Sequence, residues 1–289
     1  MEVKEKSKGV FFMLMATLLW GSSFVVTKGA ADDIPIAFLI AVRMFLSTVI
    51  LSIICCKSFK FINKATIFCG LILGIFYAGG MILQTYGVKY TNAGRTSFLS
   101  SASCIVTPFL EWMILKNKPK FKSLLAAMVC VVGIGLVALN ERFRIDSGDL
   151  YTLAGSVCFG MELVLFSCFM KNNDGMLLNI FLIFFAGVFS AVISLFTETI
   201  PLSFSNSTIY AVLYLGIACT GIPLAFQAIA QKSLKPSVIT VILGFEAIFA
   251  SVLSTLVLNE TFSTKCLIGF ALIFASVFVS IIEPKTTNS

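Results

Sequence analysis

The chain has 289 residues, 58% of them hydrophobic and 12% charged, with a formal net charge of +7 and a mean hydropathy of +1.00. A soluble globular protein carries roughly a quarter charged residues, so a water-solvated domain is excluded and lipid is the expected solvent. Charges recur at near-regular intervals and leave about ten apolar stretches of roughly 17–24 residues, the length that crosses a bilayer; such stretches satisfy their backbone as helices rather than barrel strands.

The first stretch, 9–29, follows Lys4, Lys6 and Lys8 and has the outline of a signal peptide, but it is longer than a signal core and no small-residue cleavage site follows, so it reads as a span carrying Trp20. The second, 34–56, contains Arg43. The third, 65–88, bears a helical stripe of Tyr77, Gly80 and Gln84, which the fourth, 94–115, continues as Ser97, Ser101, Cys104, Pro108 and Glu111. After 122–140 comes a polar segment, Asn140 to Asp149, then 149–170 with Glu162 and 176–197. The stretch 208–231 holds Thr220, Pro223 and Gln227, and 236–259 holds Thr240, Gly244, Glu246, Ala247, Ser251 and Ser254. A final stretch covers 265–282. All nine cysteines lie within or at the ends of spans, none in a CxxC spacing, and the chain has no histidine. They read as small packing residues, and neither a metal site nor a cofactor is expected.

The stripes of the third and fourth spans recur in the eighth and ninth at one offset, 143 residues, with Gln84 matched by Gln227. The predicted fold is therefore an all-α integral membrane protein of ten transmembrane helices, built as a repeat of two five-helix units, 1–140 and 141–289. Lys and Arg set topology. With the N-terminus inside, the cytoplasmic side carries Lys4, Lys6, Lys8, Lys57, Lys60, Lys64, Lys116, Lys118, Lys120, Lys122, Lys171, Lys232, Lys235 and Lys285, against Lys28, Lys89, Arg95, Arg142, Arg144 and Lys265 outside. Both termini are thus expected in the cytoplasm. Because five is odd, the second unit enters from the opposite side and the repeat is inverted, an arrangement that secondary transporters use to rock one half against the other around a midplane site. The positive charge is an orientation signal and not a nucleic-acid patch.

Arg43, Glu111, Glu162 and Glu246 are ionisable residues inside spans, and each should face the bundle or water. Glu246, near the middle of its span, is the leading candidate for proton coupling or substrate contact, with a structural hydrogen bond as the competing role. Glu162 is a candidate for a substrate amine or a proton, and it has no acidic counterpart in the first half. Arg43 offers a planar fork to a substrate carboxylate or a partner to a helix end. Glu111 lies close enough to Lys116 to pair with the cytoplasmic lysines. Gln84 and Gln227 are buried amides that need partners, and Trp20 and Tyr77 would wall a cavity between them. Pro223 and its counterpart Gly80 are hinge candidates. Small residues also pack helices in lipid, and stripes that pack within one chain look like those that pack two, so a homodimer is among the expected partners.

The order of motifs resembles the drug/metabolite transporter superfamily, specifically the EamA-type ten-helix exporters. Its carriers are Trp20-Gly21-Ser22-Ser23-Phe24, Arg43-Met44, the run from Gln84 to Gly94, Phe98-Leu99, Thr107-Pro108-Phe109 and Lys116-Asn117-Lys118-Pro119. In the second half they are Gly244-Phe245-Glu246-Ala247 and Leu258-Asn259-Glu260-Thr261. Ala247 stands where the family commonly has proline, and Phe159 where it has tryptophan. The resemblance implies export of small metabolites, often amino acids, across a bacterial inner membrane. The expected function is secondary active transport by alternating access, with a small-molecule substrate, proton coupling and the lipid bilayer as partners, and no enzymatic role. Exchange of sugar phosphates or nucleotide sugars is the rival within this architecture, but a dianion wants several buried cations and only Arg43 is present. A channel or receptor-like protein is the alternative of a different class.

Overall fold

The computed structural model describes residues 2–116, 121–138, 146–201, 203–234 and 236–281. Lys118, Lys120, Arg142, Arg144, Lys235, Lys285 and the expected junction at 140/141 lie outside the described residues, as do the side chains of Lys4, Lys122, Cys130 and Thr240. The described residues form helices: α1 (Glu2–Ala30), α2 (Ile36–Ile54), α3 (Lys64–Tyr90), α4 (Ala93–Ser100), α5 (Ser103–Leu115), α6 (Phe121–Ala138), α7 (Ser147–Phe169), α8 (Gly175–Thr197), α9 (Asn206–Gly216), α10 (Ile222–Gln231), α11 (Pro236–Leu258) and α12 (Thr264–Ile281). Among them, seven stretches are long and apolar enough to cross a membrane: Glu5–Ala30, Ile36–Ile54, Lys64–Tyr90, Ala93–Leu115, Ser147–Phe169, Gly175–Thr197 and Asn206–Gln231. Ile242–Leu258 and Thr264–Ser276 are shorter apolar helices.

Helix boundaries follow from local chemistry. Asn63 Oδ1 accepts from Thr66 N at 2.7 Å to start α3, and Asp174 Oδ1 accepts from Met176 N and Leu177 N, both at 3.0 Å, to start α8. Two further starts are capped by distant carboxylates. Glu198 accepts from Ala37 N (2.8 Å) and Phe38 N (2.9 Å) at α2, and Glu260 accepts from Ala93 N (2.8 Å) and Gly94 N (3.1 Å) at α4. Helix ends are closed by lysines, the charge that suits a C-terminal dipole. Lys28 Nζ donates to Val88 O, Lys89 O and Thr91 O at the end of α3 (2.8–3.0 Å), while Lys89 Nζ donates to Ala31 O at the end of α1 (2.9 Å).

Two expected spans are not single rods. The stretch 94–115 is divided by a turn at Ser101–Ala102 into α4 and α5. Around it Ser97 Oγ donates to Gly94 O (2.7 Å) and Ser101 Oγ to Ser97 O (3.4 Å), the side-chain competition with the ladder that weakens serine-rich helices. The stretch 208–231 is divided by a π-helical turn, Ile217–Gly221, with Pro223 just beyond it in the first turn of α10.

α3 packs on α7 and α8, as the α9–α10 rod packs on α1 and α2. α1 lies against α11, and α4 and α5 lie against α7; α2 meets α8 and α6 meets α12. Glycines set the closest approaches: a Cβ on Gly74 would stand 2.7 Å from Phe185 Cβ on α8, and one on Gly21 would stand 2.7 Å from Phe249 Cβ and 3.0 Å from Glu246 O on α11. Large apolar side chains such as Phe196 and Leu256 point outward, whereas Arg43, Glu162, Gln227 and many hydroxyls are buried. That distribution suits a lipid-facing surface around a polar interior.

Candidate functional site

The helices converge on one cavity of about 90 Å³, and all seven binding or coupling candidates line it: Trp20 from α1, Arg43 from α2, Tyr77 and Gln84 from α3, Glu162 from α7, Gln227 from α10 and Glu246 from α11. Glu111 is not in the lining and lies in the field of Cys168 on α7. Serines fill much of the remaining wall, Ser23 from α1 and Ser97, Ser100, Ser101 and Ser103 from the broken α4–α5 rod. Ser97 and Ser101 belong to the stripe read from the sequence, whereas Ser23, Ser100 and Ser103 were not assigned to a site, although the run from Ser97 to Ser103 is dense in hydroxyls for a span. Phe159, Met81, Leu163 and Leu243 supply the apolar surface.

Arg43 is 3% exposed. Its Nε donates to Thr220 Oγ1 at 2.5 Å and its Nη2 to Cys219 O at 3.0 Å. The second bond has a backbone cause. Pro223 has no N–H to return to the carbonyl four residues earlier, and that carbonyl belongs to Cys219. Thr220 Oγ1 in turn donates to Leu215 O (2.8 Å), and Ser47, one turn beyond Arg43 on α2, donates to Gly216 O. The π-helical turn is thus held by side chains of its own and of α2. Glu246 contributes to the electrostatic environment of Arg43 and lies beside it in the lining.

Glu162 is 3% exposed and its carboxyl faces the side-chain amide of Gln227 within hydrogen-bonding reach, although among the described residues neither Glu162 Oε1 nor Gln227 Nε2 makes a bond of good geometry. Gln84 Nε2 donates to Ser100 Oγ at 3.0 Å, so the two matched glutamines have different surroundings. Tyr77 meets Phe159 edge-on, with centroids 5.9 Å apart. α3 runs unbroken through Gly80, where a Cβ would come within 2.8 Å of Phe159 Cε1. Gly80 makes room for that ring, and at the matched position Pro223 follows the π-helical turn Ile217–Gly221.

A second polar cluster, away from the cavity, joins α4 to α7. Arg95 Nη2 pairs with Asp149 Oδ2, and its Nη1 lies 3.5 Å from Asp146 Oδ2. Asp149 is fully buried although it begins a span, a placement that its position among loop charges did not reveal.

The profile of the EamA-like transporter family matches residues 7–139 and again residues 146–282. An uncharacterized transporter of Archaeoglobus fulgidus is 27% identical over 271 residues, covering 93% of this chain and 84% of its own. The uncharacterized transporters YoaV and YetK of Bacillus subtilis are each 23% identical, covering 93% and 99% of this chain and 94% and 90% of theirs. A solved crystal structure superposes with a TM-score of 0.71 at 16% identity, covering 95% of this chain and 96% of that one.

Proposed function

The chain belongs to the EamA-like transporter family, as a multi-pass membrane transporter, and on that premise we propose that it is a secondary active exporter of small metabolites such as amino acids across the cytoplasmic membrane. The observation that carries this reading is the convergence of seven polar and aromatic candidates, from six helices of both matched units, on one cavity. A carrier needs such a site between its two halves.

Alternating access by two inverted five-helix units, 1–140 and 141–289, is the proposed mechanism. Its support lies in the packing: α3 against α7 and α8 has its counterpart in α9–α10 against α1 and α2, the exchange expected if the halves are related by a two-fold axis. At the same offset of 143, Lys28 and Lys89 are matched by Lys171 and Lys232. In the inverted reading the first pair faces outside and the second faces the cytoplasm, where both termini also lie.

Glu246, removed from any helix end, is the proposed proton-coupling carboxyl. Saturable counterflow of labelled amino acids in proteoliposomes is the expected result; flux rising linearly with concentration would instead indicate a channel. Glu246→Gln is expected to abolish flux driven by an imposed proton gradient while counterflow persists, and unchanged gradient-driven flux would remove Glu246 from that role.

A further inference from the structure

We propose that Phe159 gauges the size of the substrate's side chain, and that Gly80 on the facing helix positions it for that task. The proposal rests on the amino-acid transporter reading of this site and deepens it: the cargo is an amino acid whose apolar side chain lies against the Phe159 wall.

The cavity has two unlike faces. The broken α4–α5 rod brings a row of serines, whereas α3 and α7 bring Tyr77, Met81 and Phe159, which share one apolar cluster with Trp20 of α1. The apolar part of a cargo is driven to the second face. Phe159 is half-buried there, and its seat is narrow. Tyr77 meets its ring edge-on, with centroids 5.9 Å apart. A Cβ on Gly80 would stand 2.8 Å from Phe159 Cε1, 2.9 Å from Cδ1 and 3.0 Å from Cζ, so one edge of the ring occupies the space that a side chain at position 80 would fill. Next to this seat the two helices are already in close contact: a Cβ on Gly155, one turn before Phe159, would stand 3.1 Å from Gly80 O and 3.3 Å from Gln84 N.

Ordinary contact begins near 3.4 Å, so a methyl group at position 80 has to move the ring by more than half an ångström. Tyr77 blocks one direction and the α3 backbone another, and the open direction is the cavity that Phe159 already lines. Packed interiors register a change of one methylene, and in an apolar pocket one methylene shifts discrimination by roughly 10–200-fold. Gly80 is thus a positioning residue that acts through Phe159. The repeat builds this device on one side only. At the offset of 143, Gly80 is matched by Pro223 and Phe159 by Ala16, which is fully buried and outside the cavity lining. The α7 wall carries a ring where its counterpart carries a methyl, which makes the cavity lopsided, as a pocket for one side chain has to be.

Binding is read from Trp20. The chain has two tryptophans, and Trp112 lies on α5 outside the cavity, so Trp112→Phe leaves Trp20 as the reporter. Purified Trp112→Phe protein is titrated with alanine, leucine and phenylalanine, and the readout is the affinity of each larger amino acid relative to alanine. Adding Gly80→Ala is expected to lower the phenylalanine-to-alanine ratio tenfold or more, with leucine in between. Phe159→Ala on top of Gly80→Ala restores the ratio or raises it further, a rescue that a mere loss of α3 packing would not give. Gly79→Ala, the same change one residue away, leaves the ratio within twofold. If Gly80→Ala does not fold, Phe159→Ala alone carries the test and raises the ratio tenfold or more. A ratio that neither variant moves, equal shifts in Gly79→Ala and Gly80→Ala, or no saturable response to any of the three amino acids overturns the proposal. Transport is scored separately in proteoliposomes. Size-dependent binding without flux would sink the transporter reading and leave this inference standing, whereas saturable amino-acid flux with a ratio indifferent to both variants would do the reverse.

Discussion

Arg43 shows how a buried charge becomes a backbone component. Its bond to Cys219 O replaces the one that Pro223 cannot make, and its bond to Thr220 Oγ1 ties it to the π-helical turn. Breaking a charge-assisted hydrogen bond at a buried site costs about 1.5–3 kcal/mol. Arg43→Lys keeps the charge but loses the two-pronged geometry, so it should lower stability by about that amount, measured by unfolding in detergent. Pro223→Ala restores an N–H that can reach the Cys219 carbonyl. In the Arg43→Lys background it should recover part of the loss, and a strictly additive double mutant would refute the link. The residue's identity and burial were legible from an ionisable group inside an apolar span. Its partners were not, because they are set by a π-helical turn for which the sequence has no periodic signature.

At the level of elements, glycine decides how closely α3 and α8 approach. Gly74→Val would force a Cβ against Phe185 and the α8 backbone, an overpacking of about 1–3 kcal/mol. Gly79→Ala, whose Cβ would meet only Cys158 Sγ at 3.6 Å, should leave thermal stability nearly unchanged. Equal effects of the two would show that this contact does not control packing. Element positions followed closely from hydropathy: the expected stretch 176–197 corresponds to Gly175–Thr197, and 236–259 to Pro236–Leu258. The breaks did not. The division at Ser101–Ala102 depends on which way serine hydroxyls turn, and the helix starts at Ala93 and Ile36 depend on Glu260 and Glu198 from far along the chain. The candidate site fared better. An ionisable or amide group that lipid would reject has few places to go, so Arg43, Glu162, Gln84, Gln227 and Glu246 meet in one cavity. Ser97 and Ser101 were legible only as members of the polar stripe, and Ser23, Ser100 and Ser103 are tolerated in any helix contact and carried no such pressure.

Across the whole molecule, two of the polar ties between the matched units meet where α4 begins. Arg95 joins α7 through Asp149, and Glu260 caps α4 from the segment between α11 and α12. Removing the arginine leaves a fully buried carboxylate, which costs about 3–5 kcal/mol. Arg95→Ala should therefore speed amide hydrogen exchange in the first turns of α4 and α7, and Asp149→Asn added to it should slow exchange again. Unchanged exchange in Arg95→Ala would mean that the pair bears no load. The crossed lysines of α1 and α3 have a mechanical consequence. Each side chain is anchored to the terminus of the other helix, so axial shear of one helix along the other stretches both attachments at once. A tilt about that common end stretches neither. The pair has the geometry of a pivot, so under the proposed alternating access an opening that involves α1 and α3 is expected to be a rotation and not a slide.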